Sequence, residues 1–254
     1  MPTRPSARRQ PQAGRRPVGG PASVDPVMRT LRAAIAGMEL PAVEKISEQQ
    51  QDSPFQVLIA TLLSARTQDA TTLAASTRLF AVAPTAAAVA RLSVAAIERL
   101  IYPVSFYRQK AIHVKAACEQ LVTRFGGVVP GTLDALLTLP GVGRKTANLV
   151  LIIAFRSGDH ICVDTHVHRI ANRLDWVRTT TPEDTEQALY AVAARRWWPH
   201  INLCLVTWGQ QVCRPTAPRC GDCDIARHCP RRGVTREGRA RGRDATGVSR
   251  GRVA

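Results

Sequence analysis

The chain should fold as an all-α protein. Apolar residues recur at helical spacing in most windows of its 254 residues. The periodic stretches open on Ser, Thr or Asp, often followed by Pro, and several close on Gly. No alternating apolar/polar run long enough for a half-buried strand occurs anywhere.

Taken in order, residues 1–24 combine Pro, Gly and Ala with five Arg and no acid, and should be a disordered basic tail. Asp25-Pro26 reads as an N-cap with proline in the first turn, and Val27, Leu31, Ile35 and Met38 continue at helical spacing. Ser53-Pro54-Phe55-Gln56 has the form of a capping box. The helix behind it carries Phe55, Leu58, Ile59, Leu62 and Leu63 on one face. Asp69, Thr85 and Ser93 would cap three further short helices. A long helix is expected over 107–125, stopped by Gly126-Gly127. Thr132 should open a short helix running into Pro140.

Residues 146–155 are apolar nearly all round, so they should form a central buried helix. Asp164-Thr165 starts another, ending near Leu174. Thr181-Pro182-Glu183-Asp184 should cap a helix reaching Trp197, with Pro199 interrupting before a last helix over 200–211. The Arg/Gly-rich residues 232–254 should again be disordered.

The net charge of +16 is unevenly placed. Residues 231–254 hold eight Arg against Glu237 and Asp244, so the two tails carry most of the excess and the middle only a little. Such a balance suits a polyanion, nucleic acid first, although basic tails also serve solubility or non-specific adhesion. The longest apolar run, 149–155, is too short for a membrane span. The basic N-terminus lacks the apolar stretch of a secretory signal, so a cytoplasmic protein is expected.

Chemistry concentrates around Leu139-Pro140-Gly141-Val142-Gly143-Arg144-Lys145-Thr146-Ala147. Gly141 and Gly143 permit a tight turn and close approach of backbone to a ligand, and the helix start behind them favours a phosphate. Lys145 stands beside that grip. It is one of four Lys against 31 Arg, and an amine can form an iminium where a guanidinium cannot. Arg144 would depress its pKa as a like charge. The alternative is a lysine that only contacts phosphate. Asp164 could take the proton from that amine or steady charge on a sugar ring, and an Asp at a helix start is also an ordinary N-cap.

Cys213, Cys220, Cys223 and Cys229 follow the pattern C-x6-C-x2-C-x5-C. Four thiolates this close suit one metal centre; zinc sites more often pair two C-x2-C knuckles, and an iron–sulfur cube fits at least as well. Arg214, Arg219, Arg227, Arg231 and Arg232 surround them. Cys118, Cys162 and Cys204 sit in apolar surroundings and read as buried thiols. Two stretches are weaker. Leu62-Leu63-Ser64-Ala65-Arg66-Thr67-Gln68-Asp69 ends a helix with polar residues, and Phe106-Tyr107-Arg108-Gln109-Lys110 sets aromatics beside cations at another helix start. His166 and His168 flank Val167, but a spacing of two puts them on different helix faces.

Together these stretches resemble the endonuclease III family of the helix-hairpin-helix glycosylases. The match is carried by LPGVGRKTA at 139–147, VDTHVHRIANRL at 163–174, LLSARTQD at 62–69, FYRQKA at 106–111 and the four-cysteine run. The resemblance implies a six-helix bundle over about 47–157 and a second domain, built from 25–46 and 158–231, that holds a [4Fe–4S] cluster on the four cysteines. Damaged or abasic double-stranded DNA would lie in the cleft between them, bound by a monomer associated with the nucleoid. Lys145 would be the nucleophile and Asp164 the catalytic aspartate of a glycosylase and abasic-site lyase acting on oxidised pyrimidines. Gly141, Gly143, Arg144 and Arg108 would bind DNA, and Arg66 and Phe106 would fill the gap left by a flipped base. A mismatch-directed or monofunctional glycosylase, or a non-catalytic iron–sulfur DNA-binding protein, are the competing readings. Ser105, Arg66, Phe106 and Gln210 depart from the residues usual in the family.

Overall fold

The computed structural model describes residues 23–49 and 53–238. The expected disorder of the tails falls almost entirely outside that range. The described chain is built of helices and turns with no strand. In order these are α1 (Val24–Ala34), α2 (Ala42–Gln49), α3 (Pro54–Ser64), α4 (Asp69–Val82), α5 (Ala86–Arg91), α6 (Val94–Ile101), α7 (Tyr107–Phe125), α8 (Leu133–Leu137), α9 (Arg144–Ala154), α10 (Thr165–Arg173), α11 (Pro182–Val192) and α12 (Trp198–Gln211). Short 3-10 turns occupy Arg195–Trp197, Cys220–Asp222 and Ala226–His228.

Two apolar cores form. The first packs α2 through α9, with Leu58, Leu63, Leu79, Ile97, Leu121 and Leu151 at its centre. The second packs α1 against α10, α11 and α12, with Met28, Leu31, Ile170 and Trp208, and reaches Cys213, Cys223 and Cys229. Helix α9 is buried from Thr146 to Ile153, as its all-round apolarity requires. The extended residues 161–163 form the seam. Ile161 and Val163 enter the second core and Cys162 the first, because successive side chains of an extended chain point to opposite sides.

Several helix starts differ from expectation, and at Asp25 and Asp69 the reason is that tertiary partners claim the capping side chain. Helix α1 begins at Val24, and Asp25 accepts from the Trp197 indole at 2.7 Å and pairs with Arg29 and Arg196. Ser53 makes no side-chain cap bond, while its expected partner Gln56 is buried. Asp69 lies inside α4 and caps a different helix, accepting from Ala42 N of α2 at 3.2 Å. Thr85 and Ser93 cap as expected. Helix α2 escaped the sequence reading. Its Val43 and Ile46 join the first core, so the chain crosses between cores before α2 and not at 46/47.

Helix α11 stops at Val192, short of Trp197. Ala193 turns extended, and the Trp198 indole donates to its carbonyl at 2.9 Å. Pro199 does not interrupt a helix. It sits in the first turn of α12, where a missing N–H costs nothing.

Candidate active site

Asp164 closes the seam and starts α10. Its Oδ1 accepts from His166 N at 2.8 Å and Val167 N at 2.9 Å, so it is a true N-cap. A carboxylate has more acceptor sites than those two amides use, and Oδ2 accepts nothing among the described residues. The cap therefore uses one oxygen of a rigidly held group and leaves the other open.

The seam is stitched from both sides. Asn148 of α9 donates to Ile161 O at 3.0 Å, and Asn202 of α12 donates to Cys162 O at 3.0 Å. Ile161 N donates to the Tyr190 hydroxyl of α11 at 3.0 Å. The Cys162 thiol donates to Lys145 O at 3.4 Å. That bond ties the seam, two residues before Asp164, to the first turn of α9. Burial pushes that thiol up to about 12, which leaves it inert as a nucleophile at neutral pH. Lys145 is half-buried in the first turn of α9, and its ammonium has no hydrogen-bond partner among the described residues.

The hairpin between α8 and α9 turns at Gly141, with φ 77°. A Cβ there would lie 2.9 Å from His113 of α7, so glycine is required twice over. Gly143 has an ordinary φ of −96° and open space where a Cβ would stand. It caps α9, whose first amides point outward without intrahelical partners, the arrangement that receives an anion. Arg144 turns away from this site. Its guanidinium grips the buried Glu186 of α11 through Nε at 3.0 and 3.1 Å and Nη2 at 2.9 Å. The hydrogen bond to that carboxylate raises the Arg144 pKa.

Arg66 and Phe106 come together from two loops. The Arg66 guanidinium lies 5.9 Å from the centre of the Phe106 ring, and both residues adopt left-handed backbone, φ 55° and 58°. Both are exposed, Phe106 by 64%. Ser105 N donates to Thr67 Oγ1 at 3.2 Å and ties the loops. Arg108 is exposed and stacks over Tyr107 at 5.4 Å. His113, which meets Gly141, lies six residues beyond Tyr107, about 9 Å along α7. One helix therefore positions both the phosphate turn and the exposed aromatic. Next to the Arg66 loop opens a polar cavity of about 460 Å³, lined by Glu39, Thr67, Gln68, Asp69, Gln210 and Gln211. Gln210 donates to Asp69 at 3.0 Å across it.

Cys213, Cys220, Cys223 and Cys229 all line one apolar cavity, with Ile170, Leu174, Trp208 and Ile225. No three of the His, Cys, Asp or Glu among the described residues stand close enough to grip a single ion. Four thiols lining one cavity are a donor set that an iron–sulfur cluster or a zinc ion would use. Arg173 donates to Cys213 Sγ at 3.3 Å and to the carbonyls of Arg214 and Pro215 at 2.7 Å each. Arg169 donates to Cys213 O at 2.8 Å. Helix α10 thus runs from Asp164 to the cysteine loop. Arg231 and Arg232 pair with Glu237 and Asp175, leaving fewer free cations around the cysteines than their number in sequence suggests. His168 Nδ1 bonds Thr185 and His166 Nδ1 meets Arg169.

Sequence reasoning missed Glu186, Asn148, Asn202, Tyr190 and Arg169. Each acts through a partner distant in sequence, which spacing alone does not reveal. Lys110, quoted only within a motif, is buried against the Arg66 loop. Its signal was the same scarcity of lysine that drew attention to Lys145.

Comparison with known proteins follows the same lines. The family profile described as HhH-GPD superfamily base excision DNA repair protein matches residues 59–195. Endonuclease III of Thermotoga maritima is 45% identical over 180 residues, covering 71% of this chain and 84% of that protein. A non-covalent endonuclease III–DNA complex superposes with a TM-score of 0.71 at 28% identity, over 81% of this chain and 93% of that one. A trapped endonuclease III–DNA covalent intermediate superposes at 0.66 and 30% identity, over 74% and 92%.

Proposed function

The chain belongs to the endonuclease III family of the HhH-GPD superfamily of base excision DNA repair proteins, and on that premise we propose that it is a bifunctional DNA glycosylase and abasic-site lyase. What supports the reading is that Lys145, whose amine has no partner among the described residues, and Asp164, whose second oxygen is unused, flank the seam at Cys162 and follow the Gly141 turn. A non-catalytic DNA-binding module needs neither group. The oxidised pyrimidine is the substrate class this reading favours.

The residues divide the work. The α9 amides and the hairpin hold a backbone phosphate, and Arg66 with Phe106 occupies the space a flipped base vacates. The polar cavity beside Thr67 and Asp69 takes the extruded base. Asp164 Oδ2 accepts a proton from the Lys145 ammonium, and the freed amine attacks C1′. The C1′–N bond to the base breaks, and the base leaves with a proton. Opening of the sugar ring gives an iminium on Lys145. Loss of a C2′ proton then expels the 3′ phosphate, which nicks the strand on that side, and water releases the enzyme.

The proposed division is a 47–157 bundle and a second domain of 25–46 with 158–231; the two apolar cores support it, and Val43 and Ile46 of α2 pack in the first. Cys213, Cys220, Cys223 and Cys229 would hold the [4Fe–4S] cluster. Bound there, the cluster would supply a covalent centre that orders the 213–229 loop.

Borohydride trapping on duplex DNA bearing an abasic site or an oxidised pyrimidine tests the mechanism. Wild-type protein should give a covalent adduct and Lys145→Ala none. An undiminished adduct with Lys145→Ala, or none with wild type, sinks it. A panel of lesions tests the substrate class. Iron and sulfide in equal amounts in the purified protein test the cofactor, and a zinc-loaded preparation refutes it.

A further inference from the structure

We propose that Lys110 is the positioning residue that holds the Arg66–Phe106 pair in its DNA-facing geometry, and that the efficiency of the reaction on duplex DNA depends on its ammonium. This rests on the lyase reading above. Lys110 is buried to 9% exposure, yet its Nζ has three acceptors: Leu63 O at 2.7 Å, Ala65 O at 2.6 Å and Thr67 Oγ1 at 3.2 Å. These bracket Arg66 on both sides. Thr67 Oγ1 also receives Ser105 N, and Lys110 N donates to Phe106 O at 3.0 Å. One residue therefore fastens both loops, each of which carries a left-handed residue with a Cβ that needs outside support.

Three acceptors need three N–H donors, and only the protonated amine has them. A neutral amine must release one. No acid compensates the charge. Helix α3 carries no titratable residue; the loop behind it brings Arg66; α4 brings Asp69, already bonded to Ala42 and Gln210; α7 itself brings Arg108 and His113. Burial lowers the Lys110 pKa to about 8, so the third bond is lost as pH rises through that value. Lys110 touches no DNA in this reading; it acts through the pair it holds.

The experiment compares borohydride trapping on an abasic site in duplex DNA with trapping on the same abasic site in a single-stranded oligonucleotide, which has no opposite strand to displace. The ratio cancels effects on Lys145. Lys110→Met should lower the ratio by about tenfold, the order expected when hydrogen bonds to a charged group are removed. In wild type the ratio should fall above about pH 8, and Lys110→Arg should restore part of the Lys110→Met loss and flatten the profile, because a guanidinium stays charged. An unchanged ratio in a folded Lys110→Met protein overturns the proposal. If that variant does not fold, a flat wild-type ratio between about pH 7 and about pH 9.5 overturns it equally. Absence of any wild-type adduct on the abasic duplex overturns the lyase reading, and this proposal with it.

Discussion

Replacing each partner of the Arg144–Glu186 pair should have unequal effects. The Glu186 side chain is 4% exposed and Arg144 41%. Arg144→Ala strands a buried carboxylate, which costs about 3 kcal/mol in a fully buried pair and about 2 kcal/mol here, since one partner already meets water. Glu186→Gln leaves a guanidinium that can turn outward, for about 1 kcal/mol. Urea denaturation followed by circular dichroism reads both. The second readout is DNA affinity against salt. Arg144 begins α9, so once released from Glu186 it can reach a phosphate, and the salt slope should steepen by about 1 in Glu186→Gln. Arg144→Ala should leave the slope unchanged. If Arg144→Ala instead flattens the slope by about 1 and costs less than about 0.5 kcal/mol, Arg144 is a phosphate contact and not a strut.

Three further outcomes are expected. Asp164→Asn should keep the N-cap and change stability by less than about 0.5 kcal/mol, because Asn caps as well as Asp, while excision falls about a hundredfold or more; a matching loss of melting temperature would mean the cap was its whole role. Gly141→Ala should destabilise by about 2 kcal/mol, from left-handed backbone and the approach to His113, whereas Gly143→Ala should cost about 0.5 kcal/mol and weaken DNA binding instead; equal destabilisation of the two contradicts the division of labour in the hairpin. Asp25 is held below the usual carboxylate range, first by the Trp197 indole and then by Arg196 and Arg29. A lowered folded pKa gives stability that is present above the unfolded value and lost as pH falls through the folded one. Asp25→Asn should therefore lower the melting temperature at neutral pH and flatten the acid limb, and an acid limb identical to wild type would show that this carboxylate contributes nothing.

Long periodic helices were legible because burial repeats along them. The eighteen residues after Tyr107 and the apolar run of α9 needed no tertiary information. Helix α2 was not legible, since eight residues with two core contacts, Val43 and Ile46, leave no pattern above background. Asp25 and Asp69 looked like caps by position and were claimed by Trp197 and Ala42 from elsewhere in the fold. Arg144 looked like a phosphate ligand because its neighbours in sequence are the hairpin, and Glu186 lies 42 residues away. For Asp164 the sequence allowed cap and catalyst together; the cap is present on Oδ1, and Oδ2 is open. The cysteine pattern, by contrast, placed all four thiols in one cavity directly from spacing.

The stitched seam has a consequence for what must bend. Asn148, Tyr190 and Asn202 hold residues 161 and 162 from α9, α11 and α12, so the hydrogen bonds that aim Asp164 also rivet the two cores together. Rocking one core against the other would break those bonds at the reacting centre itself. The deformation needed to expose a base therefore falls on the duplex, and a spin-label distance between α4 and α11 should stay the same with and without DNA. Lesions that already soften the helix gain most from so stiff an anvil, because their cost of kinking is lowest. Discrimination would then begin in the mechanics of the damaged strand, before any atom of the base is read.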